Sequence, residues 1–262
     1  MRPSCGNIAA FVLTFEGAGS MRRDSATRQM RQFQPALSWH MVSGYKADDA
    51  GLAQHYDAAL NRKHSKRPLG CGEIAVYAGH RKMMRQFLET GRPFGLFLED
   101  DFSSLDAASR WQHLIGNVDG IMGGKDMLKL FDFGPPKSGF VERDTHGPIE
   151  MVKPLSVGAG AVGYVLSRNG AQKILSRQKI FRQIDEDIKY FWELGLDIWA
   201  VRPQMVREIS DVLGGSFLET ERSAIKKRHR NIVTSMRGNY LALRKLALNR
   251  IHRAGTALRQ RS

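Results

Sequence analysis

Residues 93–102 read Pro-Phe-Gly-Leu-Phe-Leu-Glu-Asp-Asp-Phe, an apolar stretch that stops at three consecutive carboxylates. Such a segment predicts a strand whose C-terminal end carries negative charge. Side chains alternate along a strand, so Glu99 and Asp101 fall on one side. Two carboxylates placed like this suit a hard divalent cation, Mg2+ or Mn2+, with substrate phosphates completing the shell. Open α/β sheets put their ligands at these strand ends. A solvated turn or a helix cap uses the same residue types, and the acids alone leave both readings open.

Further strands and helices alternate along the chain. Residues 8–15 (IAAFVLTF) predict a buried strand, 20–30 the opening of a helix, and 39–44 a short second strand. Residues 48–60 suggest a helix and 61–68 a charged loop. The spacing predicts a helix over 72–89, with Ile74, Tyr77, Ala78, Met84, Phe87 and Leu88 on one broad apolar face. Residues 127–133 predict a strand, and 134–154, rich in Gly, Pro and charge, a long loop. A strand over 160–166, helices over 168–175 and 188–194, and a strand over 197–201 complete the pattern. Alternating strands and helices predict an α/β sheet protein. No GxxxxGK[ST] sequence is present, which argues against a P-loop. The Gly-Ala-Gly-Ala-Val-Gly run at 158–163 lacks a following acidic partner, and close backbone packing explains it better.

The chain is 262 residues long, 42% hydrophobic and 25% charged, within the range of soluble globular domains. A core of that size needs no disulfides. Cys5 and Cys71 make neither a framework nor a CxxC pair, which fits a reducing compartment. No apolar run reaches the roughly 18 residues that a membrane-spanning helix requires. The early apolar stretch is followed by charge instead of a cleavage site, and it is taken as a strand, not a signal peptide. A cytoplasmic protein is expected.

The net charge of +14 is concentrated at one end. Residues 222–262 hold 12 of the 40 Lys and Arg and none of the 26 acids, leaving 28 against 26 in residues 1–221. The boundary near residue 220 therefore predicts a body, 1–221, and a basic tail, 222–262. In the tail Met236, Tyr240, Leu243, Ala247, Ile251, Ala254 and Leu258 recur at steps of three and four, with Arg237, Arg244, Lys245, Arg250, Arg253 and Arg259 between them. That is a basic amphipathic helix. It suits an anionic membrane surface, on the inner face of the cytoplasmic membrane. The alternative is a helix that packs its apolar stripe on the body and leaves a solvated basic face. No basic-aromatic stacking motif supports nucleic acid as a partner.

Residues 69–102 resemble the central signature of glycosyltransferase family 25, which includes bacterial lipooligosaccharide galactosyl- and glucosyltransferases. Gly72, Glu73 and Ile74, then His80, then Glu99-Asp100-Asp101 match its order. The resemblance extends through most of residues 8–210. Residues 11–30 are similar to its opening strand and Arg-containing loop, with Arg22 or Arg23 at the expected place. Residues 164–175 resemble its strand-to-helix segment, and residues 183–192 its Pro-Ile-Asp segment. Ala75-Val76, Gly79 and Gln183 stand where that family has Gly-Cys, Ser and Pro.

The resemblance implies a GT-A-like, Rossmann-like nucleotide-sugar transferase fold and a UDP-sugar donor. It implies transfer of a hexose, galactose or glucose, to a hydroxyl of a surface glycan, a lipooligosaccharide or a lipid-linked saccharide, with inversion. A cation held by Glu99 and Asp101 would offset the charge that grows on the departing diphosphate. An acceptor hydroxyl needs a carboxylate base; Asp185 is the first candidate and Asp187 the second, with a helix N-cap as the other reading of Asp185. His80 is expected to contact sugar or phosphate or to orient a carboxylate, and Glu73 to line the site or cap its helix. Arg22 or Arg23 is expected at a phosphate, and Asp100 at the substrate. The departures at Gly79 and Ala75-Val76 leave a second reading, a catalytically degenerate UDP-sugar or glycan-binding protein of the same fold.

Overall fold

The computed structural model describes residues 6–33, 37–134, 139–215, 218–228 and 232–259. In chain order the elements are β1 (Ile8–Thr14), α1 (Met21–Arg31), β2 (Ser38–Ser43), α2 (Ala58–His64), α3 (Cys71–Glu89), β3 (Phe94–Glu99) and β4 (Phe102–Ser104). Then come α4 (Ala108–Gly116), α5 (Val118–Met122), β5 (Met127–Lys129), β6 (Phe140–His146), β7 (Ile149–Pro154) and β8 (Gly163–Ser167). The remainder is α6 (Arg168–Leu175), α7 (Ile184–Ile188), α8 (Phe191–Leu194), β9 (Ile198–Arg202), β10 (Val206–Glu208), α9 (Glu219–Arg228) and α10 (Ile232–Arg259).

Eight strands form one mixed sheet in the order β2-β1-β3-β8-β5-β9-β7-β6. β1 runs parallel to β2 and β3, and β5 parallel to β9, whereas β8 and β7 run antiparallel to their neighbours. The pleat sorts β1 between two cores. Ile8, Ala10 and Val12 join the core covered by α1, α4 and α5; Ala9, Phe11 and Leu13 join the core covered by α3, α6 and α7. The result is a three-layer α/β protein, as the alternation predicts. The central strands need no polar face, because helices cover both sides.

Helix ends follow local chemistry. Ser20 caps α1 by accepting from Arg23 N, and Ser167 caps α6 by accepting from Gly170 N. At α3 the Glu73 carboxylate reaches back to Gly70 N at 3.0 Å, half of a capping box.

Several expectations are corrected. Residues 134–154 are not one long loop: β6 and β7 pair antiparallel within them. Their charged side chains alternate on an edge ribbon, and the sequence shows that as polarity. Residues 48–57 hold only a short 3-10 turn, and α2 starts at Ala58, capped by Asp57, and runs through the first half of the expected loop to His64. The chain also contains β4, α4, α5 and β10, which the periodicity did not indicate. Cys71 is a free, exposed thiol, and Cys5 lies outside the described residues.

The basic tail is helical, but it is not separate from the body. Asn249 Nδ2 donates to Ser156 Oγ at 3.0 Å, Lys245 pairs with Glu186, and the His252 ring stacks on Trp192. Arg253 is buried over the Phe191 ring, and that burial pulls its pKa down to about 10. The inward face of α10 is thus its polar one. The packed-stripe alternative is overturned, because Met236, Tyr240, Leu243 and Ile251 all point to solvent.

Candidate active site

A cleft of about 550 Å³ opens at the C-terminal end of β3. Glu99, Asp101, Glu208 and Asp185 line one part of it; Lys66, Arg67, Arg222, Lys226 and Lys245 line another. One concavity therefore presents both a carboxylate cluster and a basic wall, in which Arg67 and Arg222 pair with Glu73 and Lys245 with Glu186.

The carboxylates arrive from three places. β3 delivers Glu99, whose N–H is fixed to Val162 O at 3.0 Å. The turn after β3 carries Asp101, whose carbonyl accepts from Ile209 N at 2.8 Å. The β4–β10 pairing sets Glu208 opposite Phe102, bringing an acid from far along the chain beside Asp101. Asp185 sits in the first turn of α7 and accepts from Gly160 N at 3.3 Å. Its helix is capped at Gln183, so the N-cap reading of Asp185 does not apply.

Glu99 is held from behind. Its Oε1 lies 3.1 Å from His80 Nε2, and His80 Nδ1 lies 2.7 Å from the Tyr164 hydroxyl. Burial, then the Glu99 charge, pushes the Tyr164 phenol well above its ordinary value. Tyr164 therefore keeps its proton, and because a carboxylate only accepts, Nε2–H donates to Glu99 while Nδ1 is held by the Tyr164 hydroxyl. His80 is fully buried and does not line the cleft. Of its two expected roles, the geometry matches orientation of a carboxylate.

Asp101 is only 7% exposed. Burial, followed by the charges of Glu99 and Asp100, pushes its carboxyl up to about 7, against the opposing pull of Arg22. Its Oδ2 accepts from Arg22 at 3.0 Å, while its buried Oδ1 has no hydrogen-bond partner among the described residues. Asp100 takes the same guanidinium at 3.0 Å and is also shifted upward, chiefly by burial.

Arg22 is a correction to the expected phosphate contact. It is buried at the base of α1, bridges Asp100 and Asp101, and donates to Gly215 O. Its charge makes the adjacent acids tolerable. Arg23 and Asp100 are not among the cleft residues either. Asp187 is a second correction. It is buried, and its carboxylate is taken by Tyr77, Arg177 and Arg182; a group so engaged anchors α7 and is not a free base.

Glu73 lines the cleft floor. Arg67, Arg222 and Gln183 all donate to it. Burial alone would raise its pKa, but those cations and the Gly70 N–H lower it to about 2. Below Asp185, buried Lys129 binds Asp132 at 2.6 Å and Gly158 O at 2.7 Å. A Cβ on Gly158 would lie 2.3 Å from Asp132 Oδ1. The glycine run at 158–163 is thus a tightly packed loop that presents Gly160 N–H to Asp185.

Glu208, Lys129 and the basic wall carry no recognisable spacing in the sequence. Strand pairing and helix packing between distant segments assemble them. The run of tail cations hinted at a basic surface, without indicating that Arg222, Lys226 and Lys245 turn inward.

Among the described residues no group of three or more His, Cys, Asp or Glu side chains is placed to hold a metal ion alone. Two carboxylates with a substrate diphosphate form the arrangement Mg2+ commonly takes. Asp101, with an unpartnered oxygen and a carboxyl destabilised by its acidic neighbours, has the electrostatics of a cation ligand.

No family model matches the chain, and no curated protein matches it; membership of family 25 therefore has no support beyond the motifs. Among solved structures, similarity is found to a protein from Desulfovibrio desulfuricans G20 assigned as a nucleotide-diphospho-sugar transferase, with 9% identity, TM-score 0.40, covering 91% of this chain and 98% of that one. A glycosyltransferase involved in glycosylation of the major capsid of PBCV-1 has 7% identity, TM-score 0.34, covering 64% of this chain and 63% of that one. A197 from STIV has 14% identity, TM-score 0.37, covering 74% of this chain and 81% of that one. Overlaps this loose do not establish a shared reaction.

Proposed function

We propose that the protein is a glycosyltransferase that moves a hexose from a UDP-sugar to a hydroxyl of a saccharide acceptor. The observation that carries this reading is the convergence of Glu99, Asp101 and Asp185 on one cleft whose other wall is basic. A donor with a diphosphate and a neutral sugar matches that division of charge.

The chain's own residues divide the work. Glu99 and Asp101 would hold the divalent cation, which as a Lewis acid offsets charge on the departing diphosphate. His80 and Tyr164 fix the Glu99 carboxylate before substrate arrives. The basic wall attracts the nucleotide phosphates. Asp185, held by Gly160 N–H and within 3.8 Å of Lys189, accepts the proton of the attacking hydroxyl and supports inversion. Galactose or glucose, and a surface-glycan or lipooligosaccharide acceptor, are the substrates that the motif resemblance favours.

The degenerate-protein reading loses its motive at Gly79. A Cβ there would lie 2.8 Å from Leu13 Cδ1, so glycine answers to packing between α3 and β1, outside the cleft. A thermal-shift screen with UDP-galactose, UDP-glucose and UDP-N-acetylglucosamine, with and without Mn2+, tests the proposal. A donor at a hundred times its Kd stabilises the fold by about 2.7 kcal/mol; no shift with any UDP-sugar would refute it.

A further inference from the structure

We infer that α10 is a docking surface for an anionic lipid bilayer, on which it lies in the membrane plane while its inner face closes the cleft. Seven of the twelve large apolar side chains exposed among the described residues belong to this one helix. Ile232, Val233, Met236, Tyr240, Leu243 and Ile251 are each 63–79% exposed, and they fall on a single side at helical spacing. The opposite side carries Gly238, Leu241, Ala242 and Lys245, which line the cleft. An isolated amphipathic helix buries its large apolar side chains; this one turns small and polar residues, with Leu241, toward the body and leaves its large apolar stripe uncovered by the described residues.

Charge selects the occupant. Residues 222–262 contain 12 Lys and Arg and no acid, and Arg244 and Arg250 are exposed beside or within the stripe. A second copy of the same face would set cation against cation, whereas an anionic lipid surface complements both the stripe and its rim. Among the described residues no helix is long and apolar enough to cross a membrane, so the helix rests on the surface. The cleft then opens beside the bilayer, where an amphiphilic acceptor would be presented. The docking claim itself does not depend on the transferase reading.

Flotation of the full chain with vesicles of phosphatidylcholine, with and without phosphatidylglycerol, tests it. The protein should float with anionic vesicles, remain at the bottom with neutral ones, and lose binding as salt rises. The double variant M236E/L243E alters only exposed side chains; it should keep its melting temperature and lose vesicle affinity on the order of a hundredfold. The variant R244E/R250E should weaken binding to anionic vesicles alone. Wild type that stays at the bottom with anionic vesicles, or M236E/L243E that floats as wild type does, would overturn the inference. A dimer in sedimentation that M236E/L243E splits would overturn it as well, in favour of a second copy. Flotation needs no donor sugar, so its failure is distinguishable from failure of the transferase reading.

Discussion

Asp101 is costly to ionise where it stands. Burial and Glu99 raise its carboxyl to about 7, so the folded state holds that proton more tightly than the unfolded chain does. The sign follows directly: the penalty is absent below the ordinary Asp pKa near 3.8 and grows as pH rises through about 7. Asp101→Asn should therefore raise the melting temperature by on the order of 10 °C at pH 8, and the gap should close as pH falls to 4. Glu73 is the reverse case. Its pKa falls from 4.5 to about 2, so its contribution is present above pH 4.5 and lost as pH falls toward 2. Glu73→Gln should destabilise the protein by about 3 kcal/mol at pH 7, seen in urea melts, and by progressively less as pH falls from 4.5 through about 2. His80 acts through Glu99. His80→Phe keeps the buried ring and removes the hydrogen bond, and it should lower kcat by about 10–100-fold with little change in donor KM; an unchanged kcat would deny it a positioning role.

At the scale of elements, sequence periodicity revealed what is local. α1, α3 and α6, and the strands β1, β2 and β3, lie within a residue or two of their predicted bounds, because caps and apolar alternation are written into each segment. The β6–β7 ribbon was hidden by the polarity of β6, an edge strand with no buried residue, and by the Gly-Pro-rich sequence around the buried β7. β4 and β10 are three residues each and exist through one another, and no single segment announces such a pair. The site divides in the same way. Glu99 and Asp101 were visible as a pair because they are two residues apart in sequence, although β3 ends at Glu99 and Asp101 lies in the turn that follows; Glu208 depends on the β4–β10 pairing. Arg22 and Asp187 look identical in sequence to solvent-facing site residues; only packing shows that they are neutralised inside the fold. Gly79→Ser, which restores the residue common in the resembling motif, should cost about 1–3 kcal/mol through contact with Leu13, measured by denaturant titration.

On the scale of the whole molecule, the division at residue 221 does not separate a self-sufficient body from an accessory tail. Arg222 pairs with Glu73 at 2.9 Å, and Lys226 and Lys245 line the cleft. Removing residues 222–262 should lower the melting temperature and abolish the thermal shift with a UDP-sugar, instead of leaving a competent domain. The basic residues of the C-terminal segment divide between two surfaces, an inner wall on the cleft, where Arg222, Lys226 and Lys245 lie, and an outer face that carries Arg244 and Arg250. The proposed transfer reaction requires the acidic end of the cleft to be chemically active, and release of UDP from a UDP-hexose, compared between wild type and Asp101→Asn with Mn2+ present, tests that most directly. The account predicts turnover in the wild type and a loss of about a thousandfold or more in the variant; equal rates in the two proteins would contradict it.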